Sequence, residues 1–197
     1  MVDSKCIKIS DRIEVTAGLA LRGAAPVSDQ GRYRILLPGS VQTGEPISEA
    51  NLPFCSLEDP SPRVLLVPND LVFWGRGDVR CAVFDGSPDS VILASPLLRL
   101  RRKDKDLLPE FLALCLASPS IGSQIGRNMR GSGSQFVSKK DLEDVEIMIP
   151  PVETQRELVE YADLVQQEAK LSVKLTSLRQ AVMNAMLTQT QNRQTLH

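Results

Sequence analysis

Three aliphatic residues alternate with Glu and Met in segment 145–149, which reads VEIMI. This period of two predicts a half-buried strand. Pro150 and Pro151 follow directly, and because proline lacks an N–H group they end the strand and suit the first turn of a helix. Glu153 lies where the dipole of that helix favours a negative charge. The pattern therefore predicts that a compact domain ends near residue 150 and that a helix begins at once.

Short apolar runs separated by Gly, Pro and Asn occupy much of the first hundred residues, and they predict a sheet of many short strands. The predicted strands lie within residues 11–22, 32–38, 63–67, 71–74, 79–84, 91–94 and 97–101. Apolar residues at helical spacing then predict a helix from Asp106, as its N-cap, to Ser118, and a second helix over 120–129. Ser138 and Asp141 have the spacing of a capping box for a short helix.

Segment 153–187 contains neither Gly nor Pro and carries a heptad pattern that is typical of a coiled coil. Its a and d positions are Tyr161, Leu164, Glu168, Leu171, Leu175, Leu178, Val182 and Ala185. A helix of this length extends about 50 Å, which is more than one 150-residue domain is expected to cover. The pattern favours a partner helix over docking on the helix's own domain. The predicted partner surface consists of Tyr161, Leu164, Leu171, Leu175, Leu178 and Val182.

The predicted fold class is α+β, a strand-rich domain with a few helices followed by one long C-terminal helix. We assign residues 1–150 to the domain, 151–188 to the helix and 189–197 to a flexible tail. No apolar run approaches 20 residues, no signal peptide precedes the domain, and the four cysteines lack metal-site spacing. These features predict a cytoplasmic protein with reduced thiols and no membrane association.

The charge is unevenly distributed, although the formal net charge of the whole chain is only −1. Residues 63–140 carry 12 basic and 7 acidic side chains, a net charge of +5. Residues 141–187 carry 4 basic and 9 acidic side chains, a net charge of −5. The middle of the chain therefore suits a phosphate backbone, whereas the C-terminal helix does not.

Two loops of the basic region predict a DNA-binding surface. Arg76 and Arg80 flank a tight turn, where arginine can bind guanine or phosphate at two points and where Gly75 and Gly77 would let the backbone approach DNA. The second loop and the helix after it contribute Arg130, Ser132, Ser134, Gln135, Lys139 and Lys140. For each arginine alone, a solvated surface position fits equally well. The densest basic run of this region consists of Arg99, Arg101, Arg102, Lys103 and Lys105. Because Arg99 and Arg101 alternate with leucines, the alternative to DNA binding is that they form the solvated face of a strand.

The residues do not provide an obvious catalytic centre. The single histidine is His197, so Ser-His-Asp and Cys-His arrangements cannot be assembled. Segment 131–136 (GSGSQF) is similar to the cofactor loop of adenine methyltransferases but lacks a preceding strand. Segment 51–54 (NLPF) differs from their catalytic Asn-Pro-Pro-Tyr/Phe motif at Leu52. We therefore predict a non-catalytic binding protein that holds no cofactor.

Segment 141–155 (DLEDVEIMIPPVETQ) resembles the junction between a target-recognition domain and a conserved helix in specificity subunits of type I restriction–modification systems. Segments 65–77, 97–119 and 131–149 resemble three further blocks of this family, in the same order. The resemblance spans roughly residues 10–187. Two departures are Asn69, where the family usually has Gly, and Thr154, where it usually has Glu.

The resemblance implies a half-length DNA specificity subunit, because full-length members carry two recognition domains and two antiparallel helices. A homodimer paired through the helices would restore this arrangement and read an inverted repeat. Double-stranded DNA, a DNA adenine methyltransferase subunit that holds S-adenosylmethionine, and a restriction ATPase subunit are the implied partners. Two alternatives remain open: a protein-interaction adaptor of a phage-defence assembly that does not read DNA, and a fragment of a longer subunit.

Overall fold

The computed structural model describes residues 5–76, 78–129 and 136–194. The chain forms two compact units, unit 1 (Met1–Val159) and unit 2 (Glu160–His197). The strands are β1 (Lys5–Lys8), β2 (Ile13–Ala17), β3 (Val27–Ser28), β4 (Tyr33–Leu36), β5 (Phe54–Cys55), β6 (Leu71–Arg76), β7 (Asp78–Val83), β8 (Val91–Leu93), β9 (Leu98–Arg102) and β10 (Glu146–Ile149). The α-helices are α1 (Ile9–Arg12), α2 (Pro109–Ala117), α3 (Pro119–Met129), α4 (Lys139–Glu143) and α5 (Val152–Gln194). The predicted α+β fold with a long C-terminal helix is confirmed.

The described strands of unit 1 form three sheets. The main sheet has the order β2-β9-β6-β7 and is antiparallel throughout. The second sheet has the order β3-β5-β4-β8, in which only β4 and β8 pair in parallel. The third sheet pairs β1 with β10 from opposite ends of the unit, with Ile7 opposite Ile147. This last pairing ties the start of the domain to the strand that precedes α5.

The main sheet is buried on both faces because its strands alternate between two apolar clusters. Leu71 and Phe73 of β6 join a cluster that also contains residues of α2, α3 and α4. Val72 and Ala82 point to the opposite face and join a second cluster, which includes Leu36 of β4. The strands around Phe73 are therefore sandwiched, which gives the β6–β7 hairpin a rigid base.

Two of the local predictions are wrong. Segment 63–67, predicted as a strand, forms a 3₁₀ turn over Pro62–Val64 and then a single bridge at Leu65, because proline favours the first position of a turn. Asp106 does not cap α2, whose N-cap is Leu108. The Asp106 carboxylate instead accepts two hydrogen bonds from Arg12, at 2.5 and 2.7 Å, and this ion pair holds the pKa of Asp106 below its usual value.

The ends of α4 and α5 follow the sequence pattern more closely. Ser138 and Asp141 form the expected capping box, with the Asp141 N–H donating to Ser138 Oγ at 3.2 Å. β10 ends at Ile149, and α5 begins at Val152, directly after the two prolines. The described part of α5 runs to Gln194 and so continues into the segment predicted as a tail. Residues 189–194 contain no Gly or Pro, and Gln and Arg are good helix formers.

Candidate nucleic-acid interface

The β6–β7 hairpin presents the first of the two predicted DNA-binding loops. Trp74 lies opposite Arg80, and Arg76 lies opposite Asp78, at the end of the ladder. The Arg76 side chain is exposed, and Gly77 lies outside the described residues. The hairpin therefore places Arg76 at the outermost described position of β6.

Phe136, the first described residue after the second predicted loop, lies beside this hairpin end. Phe136 forms an antiparallel bridge with Arg76, and the Arg76 guanidinium lies 4.6 Å from the centre of the Phe136 ring. A guanidinium at this distance from an aromatic ring is held by a cation–π contact. Arg130, Ser132, Ser134 and Gln135 lie outside the described residues. Phe136, which directly follows them in the chain, is thus brought into contact with the predicted Arg76 site.

Gly75 has a different role from the one predicted for it. The Val137 N–H donates to the Gly75 carbonyl oxygen at 2.9 Å, so residues 136–137 lie along the end of β6. A Cβ atom on Gly75 would come within 2.6 Å of Val137 Cβ and of Phe73 Cε1. The space beside Gly75 is therefore occupied by Val137 of the same chain, so on this side it does not give DNA access to the backbone.

Arg80 is only partly available to a ligand. One of its terminal nitrogens donates to the Val41 carbonyl oxygen at 3.1 Å, and its guanidinium lies 5.4 Å from the centre of the Trp74 ring. Trp74 itself is half-buried against the second apolar cluster, and Phe73 is fully buried. These aromatic residues belong to the core, while Arg80 retains further N–H donors beyond the one bound to Val41.

Lys139 and Lys140 form the start of α4, close in sequence to Phe136. Lys139 Nζ lies 3.5 Å from a carboxylate oxygen of Glu143, one helical turn away. Lys140 is exposed. An exposed ion pair of this type contributes little to stability, so Lys139 can leave Glu143 and bind a phosphate group at small cost. The exposed Lys140 can bind a phosphate group as well.

Arg99 and Arg101 contradict the prediction of a solvated strand face. Arg99 as a residue is 2 % exposed, and its guanidinium donates to the Leu65 carbonyl oxygen at 3.1 Å and to Glu14 at 3.3 Å. Burial, with the positive charge of Arg101 next to it, lowers the pKa of Arg99. Arg101 binds Asp70, and these hydrogen bonds raise its pKa. Alternation with leucine shows only that the two arginines lie on one face of the strand. In the structure, Leu65 and the residues around it cover this face.

The turn before β6 explains one departure from the family pattern. Asn69 has a φ of 72°, in the left-handed region that glycine enters without strain and that asparagine tolerates better than most residues. Asp70 follows with a buried carboxylate that accepts the Val67 N–H at 2.8 Å. Asparagine therefore preserves the turn that a glycine at this position would form.

The six residues predicted to contact a partner helix are all exposed in unit 2, from 48 % for Leu175 to 69 % for Tyr161. Leu164, Leu171 and Leu175 line one apolar groove on this face, and Glu168 lies in the same groove. A row of exposed leucines on a helix is typical of a surface that another element covers.

The described part of the chain contains no helix that is long and apolar enough to cross a membrane. Within the same residues, no three His, Cys, Asp or Glu side chains are grouped as metal ligands.

Comparison with known proteins places these features in a family. Residues 66–176 match the family model described as the type I restriction modification DNA specificity domain. This match includes the β6–β7 hairpin, the second predicted loop, the α5 junction and the start of the heptad pattern. No match was found among curated proteins.

Solved structures share the fold. The chain is similar to the HsdS subunit from Thermoanaerobacter tengcongensis, with 20 % identity and a TM-score of 0.59 over 85 % of this chain and 38 % of the other. It is similar to the type I restriction-modification system S subunit from M. genitalium, with 13 % identity and a TM-score of 0.53 over 89 % of this chain and 42 % of the other. A third similar structure comes from work on complex assembly and conformational transition of the type I R-M system. The chain matches it with 20 % identity and a TM-score of 0.61 over 92 % of this chain and 45 % of the other. The chain thus spans less than half the length of each of these proteins.

Proposed function

Because the chain belongs to the family of type I restriction modification DNA specificity domains, we propose that it recognises a DNA sequence for a type I-like methyltransferase complex. The observation that carries this proposal is the family match over residues 66–176, which includes both predicted DNA-binding loops. The contact between Arg76 and Phe136 supports it, since Phe136 directly follows the second loop. Base readout is assigned to Arg76, Arg80 and the loop at 130–135, and phosphate binding to Lys139 and Lys140.

The exposed heptad face supports a homodimer in which α5 of one copy pairs with α5 of another. Six apolar residues of one helical face lie in solvent in the single chain, and pairing would bury them. Two copies related by a two-fold axis would present two recognition units to DNA and read an inverted repeat with a central gap. The proposed partners are double-stranded DNA and a DNA adenine methyltransferase subunit, with a restriction ATPase subunit in a larger assembly.

In this proposal the chain supplies recognition and no chemistry. The methyltransferase subunit holds S-adenosylmethionine and transfers the methyl group, in the cytoplasm. Transfer of a radiolabelled methyl group from S-adenosylmethionine to DNA by the purified chain alone would contradict this division of roles.

Methylome sequencing tests the proposal directly. Cells that carry this chain together with its cognate methyltransferase should methylate adenine in one bipartite motif, whose two halves are inverted repeats. Cells with the methyltransferase alone are the control and should lack that motif. If the motif is absent from both, the chain is not a specificity subunit for that enzyme, and the adaptor function becomes the better account.

A further inference from the structure

One surface of unit 1 concentrates exposed apolar side chains. A groove of about 390 Å³ lies between α2, α3, β10 and the start of α5, and we call it the edge groove. Four large apolar side chains are exposed among the described residues of unit 1, and three of them, Leu114, Met148 and Leu158, line this groove. The fourth, Val27, lies elsewhere. Such a concentration on an otherwise polar surface is characteristic of a binding site.

The free edge of β10 forms one side of the edge groove. The Gln124 side-chain amide donates to the Glu146 carbonyl oxygen at 3.1 Å and accepts the Glu146 N–H at 3.1 Å. This side chain thus takes the place of a neighbouring strand at Glu146. Because strand residues two apart point their backbone groups the same way, the Met148 N–H and C=O also point away from β1.

The backbone of Met148 has no such substitute partner. In the described part of the chain, no side chain and no loop or turn forms a hydrogen bond with its N–H or C=O. Both groups therefore remain available to a further strand, and they lie beside apolar side chains that would pack against it.

The charge of the edge groove indicates the kind of segment it suits. Glu146 lines the groove, and its side chain lies on the same exposed face of β10 as that of Met148. No ion pair joins the Glu146 carboxylate to any described residue. Among the residues that the structure describes, no other Asp, Glu, Lys or Arg side chain lines the groove. A segment that carries Lys or Arg next to apolar residues would therefore complement it.

We propose that the edge groove binds an extended, basic and apolar segment of another protein, which adds a strand to β10 at Met148. In strand addition the main-chain hydrogen bonds provide affinity, and pockets for alternate side chains provide specificity. Among the described residues, a second copy of this chain does not offer such a free segment, because runs that alternate Lys or Arg with apolar residues are already paired as strands, namely Lys5–Lys8 (β1), Tyr33–Leu36 (β4) and Leu98–Arg102 (β9). The proposal goes beyond DNA recognition and does not depend on it.

Fluorescence anisotropy with the full chain and a labelled, end-capped hexapeptide, VKVKVK, tests the proposal. We expect saturable binding, with VEVEVE at least about tenfold weaker because of repulsion by Glu146. VKVKVK methylated at every backbone nitrogen should not bind, and this test leaves the protein unchanged. Met148→Pro should weaken binding of VKVKVK about tenfold or more, since it removes one outward N–H at a strand edge where proline is tolerated. Met148→Val keeps that N–H and should bind within about twofold of the original protein.

Several results would overturn the proposal. VKVKVK could fail to saturate at millimolar concentration, VEVEVE could bind equally well, or the methylated peptide could bind like the unmodified one. Unchanged binding by a folded Met148→Pro variant, checked by circular dichroism, would exclude pairing at Met148. Tighter binding of an amphipathic Leu/Lys helical peptide than of VKVKVK would make the edge groove a helix site.

Discussion

The Asp70 carboxylate and the Arg101 guanidinium form a two-point ion pair, with both nitrogen–oxygen distances at 2.7 Å. Asp70 is 1 % exposed and also accepts the Val67 N–H, while Arg101 extends to the Leu65 carbonyl oxygen at 3.4 Å. One carboxylate therefore holds the turn before β6 and the neighbouring strand β9 together. The hairpin that carries Arg76 depends on this junction for its position.

Asp70→Ala is expected to destabilise the protein strongly, because it leaves Arg101 without its carboxylate partner in partly buried surroundings. Breaking a buried pair from one side costs about 3–5 kcal/mol, and the partial exposure of Arg101 places the expected loss towards the lower figure. Equilibrium unfolding in urea measures the loss. Glu143→Ala breaks the exposed Lys139–Glu143 pair as a control and should cost at most about 0.5 kcal/mol. Equal losses in the two variants would contradict the structural role of Asp70.

Gln155 connects α5 to the rest of unit 1 and is fully buried. Its Oε1 atom accepts the Leu108 N–H at 2.9 Å, and its Nε2 donates to the carbonyl oxygens of Asp106 and Pro150, each at 2.9 Å. The side-chain amide therefore has a hydrogen-bond partner for its oxygen and two for its NH₂ group. No other side chain of this size offers one acceptor and two donors in this way. The Gln of the family's junction motif has a structural role here.

Gln155→Ala should cost about 2–4 kcal/mol, because three backbone groups lose their partner. Gln155→Glu tests the donor role through pH. Burial and the two facing carbonyl oxygens should raise the pKa of the introduced carboxyl above its unfolded value of about 4.3. The variant should therefore be least destabilised below pH 4 and should lose stability relative to the original protein as pH rises towards 7. Urea unfolding at several pH values measures this, and a pH-independent difference would contradict it.

Gly75→Ala should destabilise the hairpin, since the new methyl group would meet Val137 and Phe73 at 2.6 Å. Overpacking of this kind costs about 1–3 kcal/mol. Gly122→Ala in α3 is the matched control, because nothing lies within 4 Å of its added Cβ. That variant should gain about 0.5–1 kcal/mol from helix propensity. Thermal unfolding of both variants should give shifts of opposite sign, and shifts of the same sign would contradict the packing of Val137 on β6.

The homodimer should separate when charge is placed on the heptad face of α5. Leu171→Glu combined with Leu178→Glu puts two unpaired charges from each helix into a buried seam, and the total cost should be several kcal/mol, about 3 or more. Val173→Glu introduces the same charge at an exposed apolar position off the a and d face and should leave the dimer intact. Sedimentation velocity measures the outcome. An original protein that stays monomeric at micromolar concentration, alone and with its methyltransferase, would contradict the half-length subunit.

Arg76 and Lys140 should affect DNA binding in different ways. Arg76→Ala should cost about 1–3 kcal/mol and relax specificity at one base pair, if its contact is to guanine. Lys140→Ala should weaken binding to all sequences alike and reduce the salt slope by about one. Both are measured by titration of the assembled methyltransferase complex with DNA across a salt series.

Lys174→Ala removes an exposed positive charge from α5 and is the control for these two variants. It should change neither the affinity for DNA nor the methylated motif. If Arg76→Ala, Arg80→Ala, Arg130→Ala and Gln135→Ala also leave both unchanged, the DNA-reading surface lies elsewhere on unit 1.

The sequence by itself determined the local elements whose signals lie within a few residues. Alternation and two prolines predicted the end of β10 and the start of α5, and a Ser–Asp spacing predicted the cap of α4. Each of these depends on backbone preferences and on side chains three or four residues away, so the pattern contains the necessary information. The same holds for the exposed heptad face of α5.

Only the tertiary structure decided which distant segments meet. Periodicity places Arg99 and Arg101 on one face of β9, but Asp70 and Leu65 had to be brought to that face before it became a buried ionic junction. The neighbourhood of Arg76 and Phe136 likewise depends on pairing across some sixty residues. A period of two shows that alternate residues share one face of a strand. It does not show which residues cover that face, because burial depends on how the whole chain packs.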